Sequence, residues 1–435
     1  MNPANLLTKR HRIVELARKK PGEVLFLLHH VIDFEWMREA YWLTRKDGAT
    51  GIDGMTAAEY EANLEVNLRD LLGRIKSGRY KAAPVRRTYI PKADGSQRPL
   101  GIPTFEDKVA QRAIAMVLEA VYEQDFLPCS YGFRPGRSAH QALQQLSGAI
   151  VVRRQYWVLD VDIRKYFDSI PHSHLRAILD QRVTDGVIRR MIGKWLKAGV
   201  LEEGLLHFVT EGTPQGGVIS PILSNIFLHH VLDEWFESEV RARLIGEATL
   251  VRFADDFVMT FETHHDAKRV LEVLEKRLGR FGLTLHPDKT RFIDFRPQRH
   301  GGPQADCKDP PFDFLGFTHS WAKSQKGKNV VRQTTAKSRF ARALIAVKDW
   351  CRTNRHRPIL EQHARLSAKL VGHFAYYGIT GNSPKLQRFR HEVTKIWRKW
   401  LARRTRSKRL RWERFNAFLA RHPLPPARLV HRYAT

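Results

Sequence analysis

At 435 residues, with an ordinary hydrophobic fraction of 43%, the chain is long enough for two or three domains, each with its own core. Its 74 Lys and Arg against 45 Asp and Glu leave a net charge of +29, which points to a polyanionic partner, nucleic acid before a membrane surface. Val24 to Ile32 is too short to span a bilayer and is broken by His29 and His30; the N-terminus has no cleavable apolar core; and Cys129, Cys307 and Cys351 lie too far apart for a disulfide framework or a zinc ribbon. A reducing cytoplasm is the expected location.

Residues up to about Leu72 read as helices. Thr50-Gly51-Ile52-Asp53-Gly54 breaks them, between Phe34 to Thr44 and a helix opened by a Thr56 and Glu59 capping box. After Gly78 the pattern turns to strands, Arg86 to Ile90 and Arg98 to Ile102, joined by Pro91-Lys92-Ala93-Asp94-Gly95. Lys92 and Arg98 flank the tip of this basic hairpin, where two cations suit a triphosphate or simply stay solvated. Apolar residues from Val109 to Val121 recur at helical spacing, giving an amphipathic helix from Asp107 to Gln124. The loop Tyr131-Gly132-Phe133-Arg134-Pro135 then leads to a second capping box, Ser138 with Gln141.

Tyr156 to Asp162 reads as a core strand whose Asp160 and Asp162 leave the same face, because side chains alternate along a strand. An acid at the end of such a strand is either a metal ligand or a solvated terminus. Thr213-Pro214-Gln215-Gly216-Gly217 is a permissive loop before Ser220-Pro221, which opens a helix continued by Leu228, Val231, Leu232 and Trp235. Leu250 to Phe253 and Phe257 to Met259 read as two strands with Ala254-Asp255-Asp256 as a hairpin turn. Two adjacent carboxylates inside an apolar run need neutralising, and oxygen ligands of this kind suit a hard divalent cation; the alternative is a polar turn.

Beyond the hairpin, His265 to Phe281 reads as a helix, Leu283 to Leu285 as a strand, and His286-Pro287-Asp288-Lys289 as a turn. Arg296 to Pro311 reads as an exposed loop between strands Arg291 to Phe295 and Phe312 to Phe317. From about Arg332 the chain is helical and cationic, so a separate domain is expected there. Leu366, Leu370, Phe374 and Tyr377 give one helix a core face. Trp397, Trp400 and Trp412 alternate with Arg398, Lys399, Arg403, Arg404, Arg406, Lys408, Arg409 and Arg411, a pattern suited to RNA through neutralised phosphates and stacked bases, with some of the tryptophans expected in the core instead.

In order along the chain, these blocks resemble group II intron-encoded reverse transcriptases and maturases. The resemblance runs through Gly48 to Gly54, Ile90-Pro91-Lys92, Arg98 to Pro103, Tyr131-Gly132-Phe133-Arg134-Pro135, Asp162 to Asp168 and Thr213 to Gly217. It continues through Phe253-Ala254-Asp255-Asp256, His286 to Thr290 and Phe314-Leu315-Gly316, and in the C-terminal part through Gly372 to Gly378 and Pro426 to His431. It implies an α+β right-hand polymerase: an N-terminal extension and start of fingers over 1–78, fingers and an antiparallel palm over 79–331, and a helical thumb and maturase domain over 332–435. It implies Asp162, Asp255 and Asp256 as catalytic acids, with Asp162, Ile163, Asp255 and Asp256 as the magnesium set. Lys92 and Arg98 would clamp a deoxynucleoside triphosphate, Gln215 and Gly216 would line the nascent pair, and Lys289 would sit near the leaving group. Phe167 would screen out a ribose 2′-hydroxyl, so the product would be DNA, and Phe314, Leu315 and Gly316 would form a primer grip.

The implied partners are intron RNA, a DNA primer or target, and deoxynucleoside triphosphates, with no membrane role. Phe253 departs from the tyrosine common in the family, and the chain stops where longer members add an endonuclease, so second-strand cleavage is not expected. Two other readings keep part of the pattern: a reverse transcriptase with a host task in defence or repair, and an RNA-binding splicing factor with a vestigial polymerase site.

Overall fold

The computed structural model describes residues 3–91, 95, 97–202, 205–207, 211–212, 216–297, 311–404 and 410–432. Helices and strands are mixed throughout, as expected, and divide between two compact units, Met1–Ala142 with Val158–Phe292, and Leu143–Trp157 with Ile293–Thr435.

The first unit opens with α1 (Pro3–Lys19), α2 (Phe34–Leu43), α3 (Ala57–Ala62) and α4 (Leu64–Lys76), followed by the basic hairpin of β1 (Val85–Pro91) and β2 (Gln97–Ile102). The Thr56 and Glu59 capping box is present at the start of α3. The buried helix α5 (Phe105–Tyr122) follows, and α6 (Ala139–Val151), whose residues from Leu143 onward count with the second unit, begins after a capping box in which Ser138 and Gln141 bond each other's backbone and side chain. Next come β3 (Trp157–Val161), α7 (Tyr166–Ser169), α8 (His172–Asp180), α9 (Gly186–Lys197), and two short strands that the sequence did not signal, β4 (Val200–Glu202) and β5 (Leu205–His207). Helix α10 (Ser220–Leu228) begins at Ser220 itself and takes Pro221 into its first turn. It then widens into π-helical turns over His229–Glu234 and Phe236–Val240. Strands β6 (Ala248–Phe253) and β7 (Asp256–Phe261), helix α11 (His264–Arg280) and β8 (Arg291–Asp294) complete the series.

Two sheets organise this unit. One has the order β2-β1-β4-β5, and the other β6-β7-β3-β8, which sets the hairpin of β6 and β7 beside the strand that leads to Asp162. Leu283 to Leu285 forms no strand of its own; a single bridge from Leu285 to Ile163 is what pairs it.

In the second unit the expected strand Phe312 to Phe317 is a hairpin. Strand β9 (Phe312–Phe314) turns at Leu315-Gly316 into β10 (Phe317–Lys323), which pairs with β11 (Asn329–Thr335). Helices α12 (Lys337–Thr353), α13 (Ile359–Tyr377), α14 (Ser383–Ala402) and α15 (Trp412–Arg421) enclose a core that includes Leu366, Leu370, Phe374, Phe389, Trp397 and Phe415. The two C-terminal blocks of the family pattern meet here. The Gly378 carbonyl accepts from Val430 N at 2.7 Å and His431 N at 2.9 Å, and a Cβ on Gly378 would sit 2.6 Å from the Arg428 carbonyl.

The boundaries expected near 78 and 332 do not coincide with these units. The N-terminal helices share the first unit's core: Trp36 donates from Nε1 to the Ala113 carbonyl at 2.9 Å, and buried Asp185 accepts from the backbone of Leu28 and His29 while capping α9. Arg332 falls inside β11, whose end is fixed by buried Asn382 through the Thr335 backbone and hydroxyl, so the strands from 312 onward belong with the helices after them.

One buried acid in the first unit has no place in the family pattern. Asp107, in the first turn of α5, accepts from the Tyr80 hydroxyl, from Thr104 Oγ1 at 3.0 Å and from Trp195 Nε1 at 3.3 Å. Burial nevertheless pushes its carboxyl up to about 7, against the opposing pull of the Trp195 donor. The unfolded carboxyl ionises from about pH 4, so between that point and pH 7 the folded state binds more protons and stability falls as pH rises. Thermal or denaturant unfolding across this window should show a decline of up to ~4 kcal/mol assignable to this group. Asp107→Asn should flatten that slope; an unchanged slope would mean the acid is ionised in the fold.

Candidate active site

The geometry of the site begins with a two-residue turn. Phe253 pairs with Asp256 across the hairpin, so Asp256 is the first residue of β7, and only Ala254 and Asp255 form the turn. Ala254 has φ of 58°, the left-handed region, as the first central residue of a II′ turn requires and as Gly would adopt with less strain. Three contacts hold it there. Gly132 packs so closely that a Cβ on it would lie 2.4 Å from Ala254 N. The segment before Gly132 runs along β6, with Tyr131 N donating to the Arg252 carbonyl and Arg252 N to the Cys129 carbonyl, each at 2.8 Å. Below, the Arg252 side chain donates from Nη1 to the Ala254 carbonyl at 3.0 Å.

Arg252 is 0% exposed and all five of its donor positions are used. Nε and Nη2 donate to Asp233, which is itself 0% exposed. Nη2 also donates to Ser130 Oγ at 2.8 Å, and Nη1 to Asn225 Oδ1 at 2.9 Å besides the Ala254 carbonyl. Asn225 in turn donates to the Gly132 carbonyl at 2.7 Å. The network therefore ties the π-helical turn carrying Asp233, the 129–132 segment and the hairpin tip to one guanidinium. Neither Arg252 nor Asp233 was singled out from sequence; the available signal was an arginine between Val251 and Phe253 in a run otherwise fit for burial.

The structure sets a few of the expected site residues near one another. Asp162 follows β3, and the 284–290 segment is strapped to it: Arg164 N donates to the Thr284 carbonyl at 2.9 Å and His286 N to the Asp162 carbonyl at 2.8 Å. This strap delivers Lys289, whose Nζ stands 3.5 Å from Asp162 Oδ2. The carboxyl of Asp255 is raised, first by burial and also by the charge of Asp162, while the Arg98 and Arg252 charges pull it down. Arg98, exposed on β2, thus lies within electrostatic reach of Asp255. Gly216 faces the same strand, where a Cβ on it would meet the Gly101 carbonyl at 2.9 Å. Asp160 belongs elsewhere, paired with Arg291 of β8 at 2.6 Å.

Phe167 is half-buried, edge-on to Tyr166 with centroids 5.2 Å apart, and Tyr166 is anchored by its hydroxyl to the Ser224 carbonyl at 3.0 Å. Lys92 and Gln215 lie outside the described residues, as do Arg406, Lys408 and Arg409. No three His, Cys, Asp or Glu side chains among the described residues are drawn together at metal-holding spacing. Ile163 has a buried hydrocarbon side chain, so only its carbonyl oxygen would serve a cation.

In the second unit, Leu315 and Gly316 both have positive φ, 50° and 79°, in a turn whose Leu315 carbonyl accepts from the Tyr376 hydroxyl at 2.9 Å; Phe314 is buried beneath it. Of the C-terminal cations, Lys399, Arg403, Arg404 and Arg411 are exposed. Arg398 works internally, donating to the Leu410 carbonyl at 2.8 Å and lying 4.1 Å from the Trp412 ring. Trp397 and Trp400 are core residues, so of the three tryptophans Trp412 alone, 38% exposed, presents a ring to solvent.

Residues 90–319 match the family described as reverse transcriptase (RNA-dependent DNA polymerase), more than half of the chain. Protein YkfC of Escherichia coli (strain K12) is 33% identical over 362 residues, 74% of this chain and 90% of that protein. The group II intron-encoded protein LtrA of Lactococcus lactis subsp. cremoris is 38% identical over 216 residues, 49% of this chain and 35% of that protein. A solved structure of telomerase from Candida albicans aligns with a TM-score of 0.45 and 12% identity, covering 84% of this chain and 65% of that one. The chain thus spans nine tenths of one relative and about a third of the other. It belongs to the reverse transcriptases, the RNA-directed DNA polymerases. Its relatives there include a group II intron-encoded protein, the kind of protein its sequence blocks resemble.

Arg252→Met leaves Asp233 buried without its counter-charge and should cost about 3–5 kcal/mol of stability. Adding Asp233→Leu should restore much of that stability, because two apolar side chains replace the pair, yet primer extension should stay well below wild type with the Ala254 carbonyl unbonded. Denaturation and steady-state extension on the single and double variants check this. A double variant as active as wild type would show the network to be scaffolding alone.

Proposed function

We propose that this chain extends a DNA primer on an RNA template with deoxynucleoside triphosphates and magnesium, and that it binds group II intron RNA as a maturase to assist splicing and retrohoming. The observation that carries the polymerase reading is the hairpin of Asp255 and Asp256 set beside β3, with Asp255 within electrostatic reach of Asp162 and Arg98 and with Lys289 3.5 Å from Asp162. On this reading the first unit supplies fingers and palm, and the second supplies thumb and maturase surface. The bacterial cytoplasm is its place of action.

The donor set fits a hard cation. It is all oxygen, and the opposition between the Asp255 and Asp162 charges is what a divalent ion would relieve. Asp162, Asp255, Asp256 and the Ile163 carbonyl would hold magnesium, which would favour attack by a primer 3′-hydroxyl and departure of pyrophosphate. The chain's own groups do the rest. Arg98, with Lys92, pairs with triphosphate oxygens and fixes the nucleotide's orientation. Lys289 sits where it can hand a proton to a leaving phosphate oxygen. Phe167, kept in place by Tyr166, presents a ring where a ribose 2′-hydroxyl would need space. Leu315 and Gly316 offer a rigid turn to the primer backbone. Gln215 and Gly216 border the nascent pair.

The maturase half of the proposal is supported by the packing of Gly378 against the 428–431 segment, which joins the two C-terminal family blocks into one surface. The exposed Lys399, Arg403, Arg404 and Arg411 add positive charge for phosphates, and Arg406, Lys408 and Arg409 belong to the same proposed interface.

Asp255→Asn or Asp256→Asn should abolish magnesium-dependent extension on an RNA template while leaving the fold and RNA affinity close to wild type; extension at the wild-type rate in both would sink the metal assignment. Phe167→Ala should raise ribonucleotide incorporation relative to deoxyribonucleotide. A sugar ratio that stays put in single-nucleotide extension would make Phe167 a packing residue only.

A further inference from the structure

We propose that a groove between residues 78–84 and helices α8 and α9 is a second nucleic-acid contact, separate from the catalytic hairpin, that grips the phosphodiester backbone of RNA. The choice of RNA rests on the reverse transcriptase reading; the choice of a phosphate backbone rests on the groove itself. It is a cavity of about 1080 Å³, and none of its lining residues belongs to the hairpin, to the 129–133 segment or to the Lys289 strap.

Its charge is one-sided. Arg79, Lys81, Arg176, Arg190, Lys194 and Lys197 line it, and among the described residues none of the six has a carboxylate within ion-pair distance. The single lining acid, Asp180, is already paired with Arg189 at 2.6 Å. Such a density of like charge is costly to hold in one concavity unless a polyanion neutralises it. Two of the cations are built in. Lys194 donates to the Gly78 carbonyl at 2.6 Å and to the Tyr80 carbonyl, which fixes its ammonium at the wall. Arg176 has a buried Nε with no hydrogen-bond acceptor, a donor still to be satisfied.

The remaining surface fits a backbone rather than bases. The lining aromatic, Tyr80, is buried at the floor with its hydroxyl committed to Asp107, so no ring is offered for stacking. Gly78, Ala82, Gly186, Gly193 and Ala198 keep the walls low and allow a strand to come close. Contacts of this kind position a nucleic acid without reading its sequence. The groove would therefore hold RNA in register while the hairpin acts on the primer end.

The test uses the full chain and a structured RNA hairpin of generic sequence. Four exposed groove cations are removed together, Arg79→Ala, Lys81→Ala, Arg190→Ala and Lys197→Ala, and compared with a control that removes four exposed cations of α11, Lys268→Ala, Arg269→Ala, Lys276→Ala and Arg280→Ala. Both lower the net charge equally, and matching thermal midpoints confirm that both fold. In a log–log plot of affinity against salt, each lost phosphate contact flattens the slope by about 0.7–0.9, so the groove variant should flatten it by about three and the control by little. The same flattening in both variants would reduce the groove to a share of the net charge, and no flattening in the groove variant would remove it as a contact. A duplex DNA of matching sequence that loses as much affinity as the RNA would overturn the RNA assignment. Primer extension on a short template, run in parallel on the wild type, tests the polymerase reading separately: its absence would sink that reading and leave the binding result to be judged alone.

Discussion

The buried pair of Arg252 and Asp233 is the constraint on which the site is built. A guanidinium taken fully out of water is tolerable only when its charge is balanced and every donor is satisfied, and here five donors meet a carboxylate, a hydroxyl, an amide oxygen and a backbone carbonyl. These acceptors come from three separate stretches of chain, the continuous helix that carries Asn225 and Asp233, the 129–132 segment and the hairpin tip, so satisfying one side chain fixes all three relative to each other. The π-helical turns after α10 fit this demand: widening the helix there is where the fold accommodates Asp233 directly under the hairpin. Asp255 and Asp256 follow Arg252 by three and four residues, at a turn whose Ala254 carbonyl it holds.

This arrangement also shapes the electrostatics at the surface. Asp255 and Asp162 repel each other and Asp255 is partly desolvated, which raises its carboxyl; Arg98 from above and Arg252 from below limit that rise. The buried cation is thus both a mechanical anchor and a fixed positive charge within reach of the Asp255 carboxyl. Lys289 plays a complementary part on the Asp162 side, delivered by a strap of backbone bonds rather than by a regular element.

Much of this was legible in the residues. The basic hairpin, the two capping boxes, the α5 periodicity and the strands on either side of Asp255 follow from local rules of alternation and capping, and the structure has them within a residue or two. The role of Arg252 was hidden because its partners are scattered from Ser130 to Asp233, and spacing rules see only neighbours along the chain. Strands β4 and β5 were missed for a related reason: three residues each carry too little alternation, and β4 exists because β1 pairs with it in parallel. The tryptophans of the C-terminal helices were expected to divide between faces for stacking and core, which helical spacing also suits, and Trp397 and Trp400 are the ones that fall to the core. Charge composition changes near 332, while the pairing of β10 with β11 runs straight through that position, so composition and strand pairing mark different borders there.

The close approach of Gly132 to Ala254 has a kinetic corollary. With backbone pressed on backbone from one side and a guanidinium bonded to the turn from the other, the hairpin has no hinge of its own. Each cycle of nucleotide addition requires something to shift by one position, and a clamped turn cannot be that part. Advance along the template must therefore fall to the nucleic acid and to the exposed side chains that hold it. On the proposed reading, the acids are a stationary bench past which the growing strand is drawn.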